Sequence, residues 1–374
     1  MQLAAYYFPN YHLDCRNEKR HGANWTEWEL MKCARPRFEG HRQPKLPLWG
    51  FEDEADPMVM NKKINAAADS GIDAFVFDWY WYDGPYLERA LDEGFLNAPD
   101  RSRIKFALMW ANHDWMDRHP INFANSFNAP LVYPWTSTCK SISFVWEYII
   151  ENYMTKPEYW YVDGKPYFSI YAVNRFIDQM GGAEKTAEVL AEFRTLAQKA
   201  GLPGIHINAV WYDNLAGQPF CVCDPERWTK ELGFDSYTSY NSISTTPIWL
   251  KDDSLTVNFD QAVDEYSLLA KKALDTLSAP YFPVATAGWD SSPRCVQSET
   301  YRLGPYPYLP VMEPDAKAFR RQLEKLSALL AEKRAAEQIL FINAWNEWTE
   351  GSYLEPDTIQ QYAYLEEIKE FTGK

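Results

Sequence analysis

Several kinds of sequence feature are scarce or missing in this chain of 374 residues, and each absence excludes a class of protein. No apolar run is long enough to cross a bilayer, which argues against an integral membrane protein. The six cysteines show no framework spacing, and a chain of this length needs no disulfides. Cys221 and Cys223 stand too close together for a zinc knuckle, and the six histidines form no His-Glu-x-x-His pattern. We therefore predict no metal site and no cofactor.

Positive charge is also in short supply, since 37 Lys and Arg face 52 Asp and Glu, for a formal net charge of −15. An acidic surface repels nucleic-acid phosphates and anionic lipid heads, so neither is an expected partner. Neutral substrates suit such a protein best. Anionic sugars also stay possible as substrates, because five arginines could form a local basic patch: Arg35, Arg37, Arg42, Arg118 and Arg294. The N-terminus lacks a basic start followed by a long apolar region, so we expect no signal peptide and a cytoplasmic location.

Aromatic residues are abundant, at 16 % of the chain. Many stand beside Asp, Asn or Glu at the ends of apolar runs, an arrangement that suits a carbohydrate-binding cleft because flat rings cover the apolar faces of sugars. The alternative is an aromatic-rich core, which is the commoner place for any single Trp.

Eight short apolar runs alternate with amphipathic segments, which predicts a (β/α)8 barrel, here a single domain over residues 1–374 with long loops after its strands. A doubly wound open sheet gives a similar alternation, but it would gather the polar strand ends near one switch point. The predicted strands are 3–8, 72–79, 104–110, 167–171, 205–211, 234–240, 282–287 and 339–345. The predicted helices are 57–70, 86–96, 140–153, 183–200, 258–277, 315–334 and 358–371. The predicted long loops are 10–56, 111–135 and 289–314.

Carboxylates, amides, phenols and indoles follow the predicted strands, and a barrel brings all these strand ends to one face. We predict that this set binds substrate, because amides and phenols exchange hydrogen bonds with sugar hydroxyls. Its members are Tyr7, Glu27, Trp28, Asp78, Trp79, Trp81, Trp110, Asn112, Asp114, Tyr171, Trp211, Tyr240, Trp289, Asp290, Asn346 and Trp348. For Asp78 a structural bond to an Arg or a Tyr hydroxyl is the alternative, and for Glu27 it is a loop salt bridge.

The segment NEWTEGSYLEP at residues 346–356 carries the strongest chemical signal. It follows the apolar run 338–345, so Glu347 and Glu350 stand where a buried strand opens into a loop, with a Trp between them. Two carboxyl groups beside an indole are what cleavage of a glycosidic bond needs: one protonates the leaving oxygen and the other removes a proton or stabilises charge. We predict Glu347 and Glu350 to be catalytic. The alternative is that Glu347 caps a helix or pairs with an Arg.

These motifs together resemble the WbsX-like proteins, a group related to glycoside hydrolase family 99. The resemblance covers nearly the whole chain in order. Its carriers are YYFPNYH at 6–12, WTEW at 25–28, PRFEGH at 36–41, GIDAF at 71–75, YWYDG at 80–84, WAN at 110–112, VDGKP at 162–166, GWD at 288–290 and the 346–356 segment.

The resemblance implies a (β/α)8 barrel that acts on an oligosaccharide or polysaccharide. In family 99 the matching Asn-Glu-Trp-x-Glu-Gly motif serves an endo-acting, retaining α-mannosidase. Carried over by position, Glu347 would be the base that removes the proton of the sugar 2-hydroxyl, so that a 1,2-anhydro sugar forms. Glu350 would be the acid that protonates the leaving oxygen and later activates water. This differs from the usual retaining scheme, in which a carboxylate attacks the sugar directly.

Two other functions stay open. The WbsX-like group is associated with polysaccharide biosynthesis, which suggests a glycosyltransferase, although the chain shows no Asp-x-Asp motif and no Gly-rich phosphate loop. A barrel that binds glycans without cleaving them would also use the aromatic residues, but it would not need both acids.

Overall fold

A computed structural model of the chain describes residues 1–138, 141–211, 224–243, 254–333 and 337–374. Cys221 and Cys223 lie outside these ranges. Among the described cysteines, Cys15, Cys33 and Cys295 are free thiols. No helix in the described part of the chain is both long and apolar enough to cross a membrane.

Eight parallel strands form the predicted (β/α)8 barrel. The strands are β1 Gln2–Tyr7, β2 Ala74–Trp81, β3 Lys105–Trp110, β4 Lys165–Ile170, β5 His206–Val210, β6 Ser236–Thr238, β7 Tyr281–Phe282 continued by Val284–Thr286, and β8 Ile339–Asn343. Neighbouring strands along the chain pair from β1 to β7, and β1 also pairs with β8. All eight predicted strands are present, although β6 is shorter than the predicted run 234–240.

Strand β7 closes the barrel because its two halves pair with different neighbours. Tyr281 and Phe282 pair with β6, whereas Val284–Thr286 pairs with β8. Pro283 separates the two halves, and a residue without an N–H suits such an interruption of a ladder. The closed arrangement brings all carboxyl ends of the strands to one mouth, as the sequence predicted.

The helices that surround the barrel agree with most of the predicted segments. In chain order they are α1 Cys15–His21, α2 Trp28–Cys33, α3 Pro57–Ser70, α4 Phe123–Ser126, α5 Ile142–Ile149, α6 Val173–Met180, α7 Ala183–Lys199, α8 Pro225–Leu232, α9 Phe259–Thr276, α10 Ala316–Lys333 and α11 Ala363–Thr372. Helices α1, α2, α4, α6 and α8 were not predicted, because helices of four to eight residues show too little periodicity.

One predicted helix is wrong in type. The segment 86–96 forms a π turn at Ala90–Gly94 followed by a 3₁₀ turn at Phe95–Asn97. Gly94 packs against the carbonyl oxygen of Glu54 so closely that a Cβ there would overlap with it. The irregular turns therefore lie where this segment meets the first long loop.

Candidate active site

A short hairpin at the end of β8 holds the two predicted catalytic acids. Asn346–Glu347 pairs antiparallel with Ser352–Tyr353, and a 3₁₀ turn at Trp348–Glu350 joins them. Gly351 closes the turn at φ 65°, a left-handed conformation that favours glycine. A Cβ on Gly351 would also lie 2.6 Å from the amide nitrogen of Asp290. The hairpin thus places Glu347 before a single tight turn and Glu350 at its end.

The hairpin is anchored to the first strand. The side chain of Asn346 donates to the carbonyl oxygen of Phe8 and accepts from its amide, both at 2.8 Å. The amide of Trp348 donates to the hydroxyl of Tyr11 at 3.1 Å. Asn346 was predicted as a substrate ligand, but its side chain bonds to the main chain of Phe8. These bonds fix the position of the neighbouring Glu347.

Both acids face one guanidinium, that of Arg294 in the loop after β7. Nη2 of Arg294 lies 3.3 Å from Oε2 of Glu347, and Nη1 lies 2.5 Å from Oε1 of Glu350. The carboxylate of Glu27, at the start of α2, accepts hydrogen bonds from Nη2 of the same arginine at 2.8 Å and from Nε at 3.0 Å. Glu347 and Glu350 are 4 % and 7 % exposed, so they share one nearly closed environment.

Tyr306 completes the contacts of Glu350. Its hydroxyl donates to Oε1 of Glu350 at 2.7 Å, and Arg294 contacts both the hydroxyl and that same carboxyl oxygen. Two donors on one oxygen stabilise the ionised form of Glu350.

A second tyrosine connects Glu347 with a third strand end. The hydroxyl oxygen of Tyr240, just after β6, lies 3.0 Å from Oε1 of Glu347 and 2.8 Å from Oδ2 of Asp78 in β2. Asp78 is buried and bonded to a tyrosine hydroxyl, as its structural alternative expects, and its contact with substrate stays a prediction. We call Arg294, Glu27, Glu347, Glu350 and Asp78 the acid cluster.

Proton affinities differ within the acid cluster. Burial raises the pKa of Glu347, Glu350 and Asp78, and the Arg294 guanidinium only partly offsets it. Burial also raises the pKa of Glu27, but Arg294, His119 and the Thr349 hydroxyl outweigh burial and lower this pKa overall. Burial lowers the pKa of His119 to about 4, so this imidazole brings no positive charge at neutral pH.

One guanidinium cannot neutralise four ionised carboxylates. Glu27 remains ionised against Arg294, which leaves Glu347, Glu350 and Asp78 to share further negative charge in a buried space. Like charges in such a space keep at least one proton bound. The cluster therefore holds both a proton and a charged carboxylate at neutral pH, which is the equipment of acid–base chemistry.

A different buried network lies behind the hairpin. Lys63 of α3 bridges Glu54 and Glu355, both at 2.6 Å. Glu54 accepts from Asn346, and Glu355 accepts from Nε1 of Trp348 at 2.7 Å. These contacts reach the residues on either side of Glu347, so the network holds the hairpin from the back.

Asp290 belongs to a separate cluster of partners from the first long loop. Its carboxylate accepts from Gln43 at 2.6 Å, contacts Nε2 of His41 at 2.9 Å and lies 3.6 Å from the ammonium of Lys45. Although burial acts in the opposite direction, Lys45 and His41 hold the pKa of Asp290 well below its usual range. Together with Glu313 these residues form the Asp290 cluster.

Metal-ligand atoms of His41, Asp290 and Glu313 lie within 4.8 Å of one another. The ammonium of Lys45 already contacts the carboxylates of Glu313, at 3.0 Å, and Asp290. A metal ion would therefore have to displace a lysine that satisfies the same oxygens.

Most predicted indoles pack into the interior next to the site. Trp348 stacks on Tyr353 with ring centroids 3.8 Å apart, and Trp28 packs on Tyr11 at 4.0 Å. Trp110 contacts other buried indoles, as do Trp79 and Trp81. Tyr7 is buried between Phe75 and Phe77. Trp79, Trp81 and Trp110 also pack against aromatic side chains of α5, and contact of any of these rings with a sugar remains a prediction.

The other predicted ligands lie around the barrel mouth. Asn112 exchanges hydrogen bonds with the main chain of Ala172, at 2.7 and 2.9 Å. Asp114 forms an ion pair with Arg175. The half-buried ring of Tyr171 meets Tyr240 edge-on at 5.5 Å. Trp211 lies after β5, and Trp289 packs 6.5 Å from Tyr306.

Two depressions flank the hairpin on its far sides. One, of about 370 Å³, is lined by residues that include Lys45, Glu313, Gly351 and Tyr353. The other, of about 200 Å³, is lined by residues that include Trp28, Lys63, Trp348 and Glu355. Both depressions border the back of the hairpin, and neither is lined by Glu347 or Glu350.

Sequence reasoning missed the residue at the centre of the site. Arg294 appeared only as one of five arginines that could form a basic patch, and Tyr306 and His119 were not selected at all. The partners of Arg294 lie as far away as Glu27, 267 residues distant. One usable signal existed, namely an arginine in the predicted long loop 289–314, because loops after barrel strands build the site.

A model of the family described as "Glycosyltransferase WbsX" matches residues 3–368 of the chain. The chain belongs to the WbsX family. Two curated relatives, both described as "Uncharacterized protein WxcX" from strains of Xanthomonas campestris pv. campestris, are 28 % identical over 375 aligned positions. The alignment covers 98 % of this chain and 49 % of each relative, so this WbsX chain spans about half the length of the curated relatives it matches.

Solved structures with a similar fold include a glycoside hydrolase and a protein described as glycoside hydrolase-like. The GH99 endo-alpha-mannosidase from Bacteroides thetaiotaomicron has a TM-score of 0.57 and 13 % identity, covering 100 % of this chain and 96 % of that one. A structure titled "Glycoside hydrolase-like protein" has a TM-score of 0.61 and 15 % identity, covering 99 % and 93 %. At these identities the likeness establishes a shared barrel fold for the WbsX chain.

Proposed function

We propose that this WbsX chain is a glycoside hydrolase that cleaves an oligosaccharide or polysaccharide, with Glu347 and Glu350 as the catalytic pair. The observation that carries this proposal is the acid cluster, in which two buried carboxyls from one turn face a single guanidinium. Such a pair holds a proton and a negative charge side by side, and glycosidic cleavage uses both.

The roles follow from the order of bonds made and broken. Glu347 takes the proton of the sugar 2-hydroxyl, and the freed electron pair of the 2-oxygen forms a bond to the anomeric carbon. The bond between that carbon and the leaving oxygen breaks, and the leaving oxygen takes a proton from Glu350. Water then opens the 1,2-anhydro sugar, giving a proton to Glu350 while the 2-oxygen recovers its proton from Glu347. Two inversions at the anomeric carbon give net retention.

Arg294 and Tyr306 both donate to Glu350 and favour its ionised form, whereas burial raises its pKa. The acid role needs the protonated form of Glu350, which burial favours. Tyr306 and Arg294 lie in the long loop after β7, so a glycan that contacts this loop can loosen their hold on Glu350.

Residues around the mouth would hold the sugar rings. Half-buried Tyr171 and the ion-paired Asp114 lie closest to solvent among the predicted ligands, and we propose that they contact substrate directly. The carboxyls of the acid cluster are themselves buried, which strengthens the electrostatic interactions among them. We propose that residues 1–374 act as one catalytic domain.

A second candidate function is glycosyl transfer, favoured by the description of the matching family as a glycosyltransferase. The same carboxyl pair could pass a sugar to an acceptor hydroxyl instead of water. A transferase would need an activated donor, whereas a hydrolase would not.

The test is to incubate the purified protein with a library of oligosaccharides and no activated donor, and to follow new reducing ends by mass spectrometry. We expect release of shorter glycans by the wild type and none by Glu347→Ala, which should still bind them. The proposal would be wrong if products formed only with an activated sugar donor, or if glycans bound without any turnover in the wild type. Glu158→Gln is the matched control, because Glu158 is a buried carboxyl that pairs with Arg101 outside the acid cluster.

A further inference from the structure

Tyr240 stands between two buried carboxyl groups that come from different strands. Its hydroxyl oxygen lies 2.8 Å from Oδ2 of Asp78 and 3.0 Å from Oε1 of Glu347. Both distances are those of hydrogen bonds. The three side chains are each less than 10 % exposed, so water does not screen their interaction.

Counting protons shows that one of the two carboxyls must be protonated. A phenol has one proton and donates one hydrogen bond, and an ionised carboxylate can only accept. Two short contacts therefore require a second proton, on either Asp78 or Glu347, that is donated to the phenol oxygen. In the first arrangement Tyr240 donates to an ionised Glu347, and in the second it donates to an ionised Asp78.

The surroundings favour the first arrangement. Glu347 lies 3.3 Å from the guanidinium of Arg294, which stabilises a negative charge there. Oδ1 of Asp78 makes no hydrogen bond within the described ranges of the chain, so a charge on Asp78 would be poorly compensated. Burial raises the pKa of both Asp78 and Glu347 well above the usual range, so the contact with Arg294 and the unbonded Oδ1 decide between them.

Other titratable groups around these two carboxyls do not reverse this preference. The groups that act on Asp78 or Glu347 are Tyr6, Tyr11, Glu27, Tyr80, Arg294 and Glu350. The tyrosines stay neutral because burial raises each pKa. Glu350 repels charge on both carboxyls and Glu27 repels charge on Glu347, but Arg294 contacts Glu347 directly and also pairs with Glu27.

We propose that Asp78 is a positioning residue that stays protonated and, by donating to Tyr240, turns the phenol proton toward Glu347 and keeps Glu347 ionised as a base. The base role rests on the proposed function, but the position of the proton does not. The competing arrangement arises when the Asp78 proton moves to the phenol oxygen and the phenol proton moves to Glu347. That exchange breaks and forms two O–H bonds, leaves the net charge unchanged and removes the base.

The direct test is infrared spectroscopy of the free protein at neutral pH, with carbon-13 in the side-chain carboxyls of aspartate. A protonated carboxyl absorbs apart from a carboxylate, and the isotope shifts aspartate bands only. We expect the difference between wild type and Asp78→Asn to contain a protonated-acid band that moves with the aspartate label. If Asp78→Asn removes no label-shifted acid band, Asp78 is ionised and the proposal is overturned.

The second test uses the pH dependence of kcat/KM, which reports groups of the free enzyme. Tyr240→Phe removes the donor to Glu347, so we expect the acid limb to move up by about one pH unit, with about tenfold lower activity on that limb. Asn can donate to Tyr240 as a protonated Asp does, so the acid limb of Asp78→Asn should stay at its wild-type pH, whatever the change in the plateau value of kcat/KM. A downward shift of the limb in Asp78→Asn would show that a negative charge had been removed and would overturn the proposal.

Tyr6→Phe is the matched control for Tyr240→Phe. Its ring packs 4.7 Å from that of Tyr240, but its hydroxyl lies near the carbonyl oxygen of Ser239 and contacts neither carboxyl. The control should keep the wild-type limb, and a limb shifted equally in both variants would assign the effect to packing and overturn the proposal. If the protein cleaves no glycan, the infrared result still decides where the proton lies.

Discussion

The Asp290 cluster and the acid cluster lie side by side at the barrel mouth, and they treat buried carboxyls in opposite ways. The amide of Asp290 donates to the carbonyl oxygen of Glu350 at 2.5 Å, so a main-chain hydrogen bond connects the two clusters. Asp290 has a lysine, a histidine and an amide around one carboxylate. In the acid cluster one arginine faces several carboxyls. The ratio of donors to carboxyls therefore differs between neighbours that are equally buried.

Burial alone does not set the proton affinity of these groups. The pKa of Asp290 is lowered although burial opposes this, because Lys45 and His41 stabilise its charge. The pKa of Asp78 is raised by burial, and the hydrogen bond from Tyr240 does not compensate. Carboxyls without enough donors retain protons and become reactive, whereas those with many donors become structural anchors.

The largest effect that would test this comparison is on catalysis. Replacing Glu350 by Gln removes the proposed acid, and acid–base groups contribute about 10²–10⁴-fold to rate. We expect a loss of that size in kcat on natural glycans, with binding retained, and a smaller loss on substrates with good leaving groups, which need less protonation. Parental turnover of natural glycans by Glu350→Gln would contradict the acid assignment.

The next largest effect is on stability. Arg294→Met leaves Glu27 buried without its partner, which typically costs about 3–5 kcal/mol. Urea denaturation at neutral pH measures the change in the free energy of unfolding. Arg101→Met serves as the comparison, because Arg101 is 42 % exposed where it pairs with Glu158 and should lose only about 1 kcal/mol or less. Equal losses of stability in both variants would show that Arg294 contributes no more to the fold than an exposed arginine.

A matched pair of Asp→Asn variants tests the contrast between the clusters directly. The folded-state pKa of Asp290 is depressed, so its charge stabilises the fold above the unfolded pKa and this stabilisation is lost as pH falls. Asp290→Asn should therefore lose about 2–3 kcal/mol at neutral pH and approach the wild type in acid.

Asp78→Asn should behave in the opposite way. The folded-state pKa of Asp78 is raised, so the wild type loses stability as pH rises above the unfolded pKa, where unfolding releases a proton. The variant lacks this loss, so its free energy of unfolding should exceed that of the wild type by about 1 kcal/mol near neutral pH. Denaturation curves of both variants across pH are the measurement, and slopes of the same sign would remove the contrast.

The smallest effect is expected at an exposed ion pair, which serves as the reference for the buried clusters. Lys325 of α10 lies 2.5 Å from Asp264 of α9, with side chains 42 % and 70 % exposed. Lys325→Gln should change the free energy of unfolding by about 0.5 kcal/mol or less, since water and salt screen exposed pairs. A larger change would mean that ion pairs in this protein are strong wherever they lie.

The predictability of the fold varies with the strength of local signals. Helix α3 begins and ends at the predicted residues, because Asp56 caps it, Pro57 opens it and Gly71 follows it in a left-handed conformation. The segment 86–96 was wrongly predicted as a regular helix, whereas residues 90–97 form π and 3₁₀ turns, since close packing at Gly94 is not visible in periodicity.

The site divides in the same way. Glu347, Glu350 and Asp78 stood out because an acid directly after an apolar run needs a partner or a function. The partner itself did not stand out, because Arg294 joins Glu347 across 53 residues and Glu27 across 267. Local patterns contain no information on which of many arginines closes such a distance.

By itself the sequence determined the barrel and the presence of two acids in one turn, because hydrophobic alternation and a short motif act over neighbouring residues. Tertiary structure decided which carboxyls face Arg294, which face Lys63 and which gather around Lys45. Proton affinity depends on burial and on charges a few ångströms away in space. The chain brings those charges together only when its strands close into a barrel.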